Sequence, residues 1–146
     1  MNIHPAIVHF PIAFLMIYAV LEIVPFSRFL SRVPWHVIKL FLLYTGTISL
    51  FPAIVAGFIA ASSYGETPAV NAHKQVALIT SFIFVIIAAF TFFSKVDNGQ
   101  KRVIVKTLAV LGFLGMLFTG ALGANLVYGS DGDFMVSFVV KLFGLQ

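Results

Sequence analysis

A chain of 146 residues with 60% hydrophobic and 10% charged residues has room for one soluble domain or for a small helical bundle in lipid. Its mean hydropathy of +1.05 selects the second, because a soluble surface draws on about 25% charged residues and this one must be solvated largely by lipid. The absence of cysteine excludes disulfides, thiolate metal sites, iron–sulfur clusters and covalently attached c-type haem. The net charge of +4 comes from basic residues concentrated in short segments between apolar stretches, a pattern of membrane topology and not of a nucleic-acid partner.

Four apolar stretches, 5–25, 37–61, 68–93 and 103–128, each reach the length of about 20 residues that a helix needs to cross a hydrocarbon core. The first cannot be a signal peptide of the usual kind, since no Lys or Arg precedes Arg28 to make a basic n-region; it reads as a retained helix. The links 26–36, 62–67 and 94–102 are short, so consecutive helices are expected to run antiparallel. Open sheets are excluded, because lipid cannot satisfy unpaired backbone groups. The expected fold is an all-α membrane protein of one domain, 1–146, a four-helix transmembrane up-down bundle with a short C-terminal interfacial helix.

Charge gives the orientation. Arg28, Arg32, Lys39, Lys95, Lys101, Arg102 and Lys106 gather at one end of this bundle, and only Lys74 and Lys141 fall at the other. The positive-inside bias places the first group in the cytoplasm and both termini outside, as expected of a multi-pass protein of a bacterial cytoplasmic (inner) membrane. Glu66, Asp131 and Asp133 then lie on the outer face, and Trp35 and Tyr64 at inner and outer boundaries. Glu22, the one acid inside a spanning stretch, has Arg28, Arg32 and Lys39 nearby and reads as half of an interfacial ion pair. After Tyr128, residues 129–133 read as a turn with Asp133 a candidate N-cap. The apolar segment 134–143 is too short to span, and Ser137 and Lys141 form its polar stripe. It is expected to lie at the outer interface or to pack on a partner.

The histidines carry the candidate chemistry, because imidazole is scarce in spanning segments. His4 and His9 open the first helix and His73 lies early in the third, so the three share the outer face, while His36 is about 30 Å away across the bilayer. Pro5 and Pro68 suit first helical positions. His9 then lies about 6 Å and His73 about 7.5 Å beyond those starts, at 1.5 Å per residue. Two imidazoles at matching depth can clamp a planar cofactor. His4 is rotated from His9 by about 140° and is expected at a cofactor edge, a propionate or solvent. Pro11 frees the carbonyl of Ile7, which can orient an imidazole or simply mark a packed membrane helix. In the fourth helix Gly115, Thr119 and Gly123 recur every four residues, with Gly112 close to that ridge and Asn125 and Tyr128 beyond it; Ser49, Ala53 and Gly57 make a similar line in the second. Such ridges let helices approach closely, the ordinary reading, and they would equally admit the flat face of a porphyrin.

The segment His4-Pro5-Ala6-Ile7-Val8-His9-Phe10-Pro11-Ile12-Ala13 strongly resembles the opening of a bacterial family of predicted membrane proteins, a domain of unknown function with an H-P-x-x-V-H-F-P-I-A signature. Ala72-His73 is a further match. Gly123-Ala124-Asn125-Leu126-Val127-Tyr128 looks like the family's G-G-x-L-V-Y element, with Ala124 in place of its second glycine. The resemblance implies four helices and a histidine-bearing outer face, and makes binding of b-type haem an expectation.

The leading functional expectation is a small b-type haem-binding, electron-transfer subunit. His9 and His73 would be the axial ligands of the haem iron, with His4, Gly115, Thr119, Gly123, Asn125 and Tyr128 around it, and quinone or a respiratory or other membrane-complex subunit as partner. One alternative is a cofactor-free structural or interaction subunit. Another is an outer-facing copper or zinc site on His4, His9 and His73. No nucleophile with a base and an orienting group is recognisable, and four helices with a single buried acid do not resemble an inverted-repeat transport pathway. An independent catalytic activity is therefore not expected.

Overall fold

The computed structural model describes residues 4–26, 30–94, 99–129 and 134–145, the side chains of His4, Pro5 and Tyr64 excepted. Five helices follow in order: α1 His4–Ile23, α2 Trp35–Tyr64, α3 Pro68–Phe93, α4 Gly99–Tyr128 and α5 Phe134–Leu142. The first four are long and apolar enough to cross a membrane. Helix α3 begins and ends at the bounds of its apolar run, 68–93. Helix α2 is longer at both ends than its apolar run, and α4 starts at Gly99, ahead of Lys101 and Arg102. Lipid thickness limits the apolar run and not the helix, whose backbone hydrogen bonds continue into the polar zone.

Local chemistry explains the starts. Thr67 caps α3, its hydroxyl accepting from the N–H of Val70 at 3.2 Å, and Pro68 takes the first turn, where a missing N–H is harmless. Trp35 opens α2, with its indole Nε1–H donating to the Leu30 carbonyl at 2.8 Å and its ring stacked on Phe26. Gly65, the C-cap of α2, has φ +75°, a backbone conformation that suits glycine. The turn 130–133, with the proposed N-cap Asp133, lies outside the described residues.

Antiparallel pairing is read directly from matched contacts. Between α1 and α2, Glu22 meets Lys39 at 2.7 Å, Leu15 lies over Gly46, and Ala6, Ile7 and Phe10 face Ser49 and Pro52 across a cleft of about 340 Å³. Between α3 and α4, Phe84 lies over Gly112, Thr80 over Gly115 and His73 over Gly123. Helix α1 also packs on α4, and α2 on α3, so the four helices close a ring in which α1 and α3 are diagonal. The end with the starts of α1 and α3 is called the histidine end below, and the other the basic end.

The main core lies toward the basic end. Leu15, Tyr18, Leu42, Leu43, Phe84, Ile87, Ala88 and Val105 form one buried cluster with Leu50 and Met116 near mid-bilayer. Toward the histidine end the inward stripe of α2 continues with small residues: Ala56, Gly57 and Ala60 are half-buried. A smaller cluster forms there off the main axis, where Val139 of α5 is buried with Ala121 and Leu122 of α4 against Ala72 and Val76 of α3. The short C-terminal helix is thus present, and one of its faces is covered by this chain itself.

Candidate functional site at the histidine end

The buried positions of α3 are Val70, Thr80, Ser81, Phe84, Ile87 and Ala88. Counting back from Phe84 by four, three and four residues gives Thr80, Ala77 and His73, so His73 belongs to the inward stripe. Its ring is half-buried, and its Nδ1 lies 3.1 Å from the backbone carbonyl of Thr119 on α4. A carbonyl only accepts, so this bond requires the proton on Nδ1 and leaves the lone pair of the neutral ring on Nε2. That tautomer is the one an imidazole adopts when a backbone group orients it for a metal.

The facing surface of α4 is shaped to admit the ring. A Cβ on Gly123 would stand 3.2 Å from Cε1 of His73, tight contact that glycine avoids. The Thr119 hydroxyl turns back to donate to the Gly115 carbonyl at 2.8 Å, which leaves its own carbonyl directed at α3.

His9 is placed differently. It is the sixth residue of α1, as His73 is of α3, so the matching depth along each helix holds. Its rotation does not match. The inward stripe of α1 runs through Pro11, Leu15 and Tyr18, all buried, and His9 precedes Tyr18 by nine residues, about two and a half turns at 3.6 residues per turn. His9 therefore stands on the opposite face of α1, and it is exposed. The expected clamp of His9 and His73 on one plane is not assembled in this packing. The physical reason is that helical phase, and not depth alone, decides which way a side chain projects. His4 begins α1 and is seven residues ahead of Pro11, nearly in phase with that stripe; its side chain lies outside the described residues.

The glycine ridge resolves into two parts. Gly112 and Gly115 are filled by Phe84 and Thr80 of α3, with a Cβ on Gly112 only 2.8 Å from the Phe84 ring. They serve helix approach and offer no flat face to a cofactor. Gly123 and Thr119 instead contact His73. Asn125 is half-buried near the end of α4, and Tyr128 stands 78% exposed at that end. On α2 a close small-residue contact lies at Gly46, where a Cβ would meet the Leu15 side chain at 2.7 Å. The sequence reading took Ser49, Ala53 and Gly57 as the ridge and missed Gly46, although it lies three residues before Ser49 on the same line.

His36 is exposed at the start of α2, at the basic end and far from His73. Among the described residues, no three histidine, aspartate or glutamate side chains come together as a metal-binding group. For a haem iron the residues fit in part: His73 has the right tautomer and an inward position, and His9 does not face it.

Fold and site together define a multi-pass helical membrane protein with a histidine held between two of its spanning helices. The chain belongs to the family described as Predicted membrane protein (DUF2231), whose model matches residues 1–132. No curated protein and no solved structure matches it.

Proposed function

We propose that the chain is a redox-linked membrane subunit that holds a b-type haem at its histidine end, with His73 as an axial imidazole. The observation that carries this reading is the bond from His73 Nδ1 to the Thr119 carbonyl, 3.1 Å across the α3–α4 interface, which orients the ring and directs Nε2 for coordination. Gly123 supports it, since a Cβ there would stand 3.2 Å from Cε1 of the His73 ring and glycine leaves the ring its place. Bound there, haem would supply one-electron redox chemistry, with quinone or another membrane-complex subunit as the exchange partner. His73 would hold the iron, Gly123 would give its ring room, and Thr119 would fix its proton. His9, on the exposed face of α1, acts in this reading toward solvent, headgroups or a neighbouring subunit.

The same reading places the basic end in the cytoplasm of a bacterium and both termini outside. The support is the seven-to-two division of Lys and Arg between the ends under the positive-inside bias.

Protein purified after haem-sufficient expression should show a Soret band. His73→Ala should abolish it, while His36→Ala and His9→Ala should leave it in place. Purified protein with no Soret absorbance would refute the haem reading. Loss of the band in His9→Ala as well as His73→Ala would restore the bis-histidine clamp and require α1 to turn about its axis.

A cofactor-free structural subunit is the second reading. It is favoured by the filling of Gly112 and Gly115 by Phe84 and Thr80, which assigns most of the ridge to helix packing.

A further inference from the structure

Helix α5 is apolar on both of its faces. Val136, Val139 and Val140 are 3% exposed or less, whereas Phe134, Phe138 and Leu142, spaced four residues apart, are 88%, 54% and 61% exposed. A helix lying flat on a membrane surface presents one polar face to water, and here Ser137 and Lys141 are the only polar side chains among nine residues.

Its direction is set by where its far end packs. The Phe143 ring, one residue past α5, stands 6.5 Å from the Phe118 ring on α4. Phe118 is ten residues before Tyr128, or about 15 Å back along the α4 axis at 1.5 Å per residue. Val139 is buried with Ala121 and Leu122, at intermediate depth. Helix α5 therefore runs antiparallel to α4, back from the histidine end.

A helix of nine residues covers only about 13.5 Å, less than half of a hydrocarbon core of about 30 Å. Its far end can stay in an apolar medium only if its backbone groups are satisfied. Three of the last four helix carbonyls, those of Val139, Val140 and Lys141, have donors, two of them through a Schellman motif: Gly144 has φ +63°, its N–H donates to the Lys141 carbonyl at 3.1 Å, and the Leu145 N–H donates to the Val140 carbonyl at 3.1 Å. The N–H of Phe143 donates to the Val139 carbonyl at 3.0 Å. Leu145 then folds onto the cluster of Val139 and Leu122, the apolar contact that accompanies this motif.

We infer that α5 is a re-entrant helix, inserted into the bilayer leaflet at the histidine end, and that the exposed stripe of Phe138 and Leu142 faces lipid acyl chains. Phe134 marks the shallow end. The aliphatic stem of Lys141 runs toward the surface and carries its ammonium to the headgroups. The occupant of the stripe is lipid because α5 lies beside two spanning helices at a depth they share. This inference does not depend on a haem.

The chain contains no cysteine, so Phe134→Cys, Phe138→Cys and Leu142→Cys each give a unique site for a nitroxide label. In the full chain reconstituted into phosphatidylcholine vesicles, collision with oxygen should exceed collision with a water-soluble nickel chelate at 138 and 142. The ratio should rise in the order 134, 138, 142. Strong nickel access at all three sites would place α5 on the surface and overturn the proposal. Weak access to both reagents would show the stripe covered by a protein partner or a second copy, and would overturn it equally.

Discussion

The two ends of the bundle are built on different principles. At the basic end, large side chains meet on the inside: Leu15, Leu43, Phe84 and Ile87 are fully buried, and Glu22 and Lys39 tie α1 to α2 at 2.7 Å. At the histidine end Pro11 is fully buried, but Gly57, Ala60, His73 and Gly123 are only half-buried, and a second cluster forms to one side under α5. In lipid, apolar burial between helices brings no hydrophobic gain, so packing density and polar contacts decide how firmly helices are held. The basic end is thus held by large side chains and an ion pair, and the histidine end by small residues, the His73 contact and the side cluster under α5.

That contrast can be broken most directly by Phe84→Ala, which removes the largest fully buried side chain. It should cost about 3–5 kcal/mol, read as a lower midpoint in denaturing mixed micelles; a change within error would show that the basic end is not tightly packed. Gly112→Ala attacks the same region by overfilling. Its Cβ would stand 2.8 Å from the Phe84 ring, and a loss of about 1–3 kcal/mol is expected. Combining it with Phe84→Leu should recover part of that loss, because the clash is with that ring.

Glu22→Ala leaves the Lys39 ammonium without its carboxylate, with side-chain exposures of 27% for Lys39 and 16% for Glu22. The pair is only partly buried, so the expected loss is about 1–2 kcal/mol, below the range for fully buried pairs. A double variant, Glu22→Gln with Lys39→Gln, should be less impaired than Glu22→Ala alone. The smallest effect sharpens the comparison from the other side. A Cβ on Gly120 would meet nothing within 4 Å, so Gly120→Ala should be neutral or stabilising by up to about 1 kcal/mol through helix propensity. A clear destabilisation there would mean that the histidine end is as closely packed as the basic end.

Residues 68–93 illustrate what was legible from sequence. Pro68 announces the start, and an apolar run to Phe93 gives the length. The Glu22 ion pair was legible too, because a carboxylate near a membrane boundary needs a cation and Lys39 is within reach. The candidate site was only half legible. Depth put His9 and His73 level, yet α1 is apolar nearly all round, so no amphipathic pattern told which of its faces is inward. Pro11, Leu15 and Tyr18 prove to be that face, and His9 is opposite.

Sequence by itself determined how many helices span and which end carries His4, His9 and His73, because bilayer thickness converts hydropathy directly into axial position. Only the tertiary structure decided rotations and neighbours. It set His73 against the Thr119 carbonyl, filled Gly115 with Thr80 and Gly112 with Phe84, and turned α5 back to Phe118. In lipid, an apolar side chain is equally at home facing a helix or an acyl chain, so composition leaves rotation about each axis open. Side-chain shape and the few polar contacts between helices are what fix it.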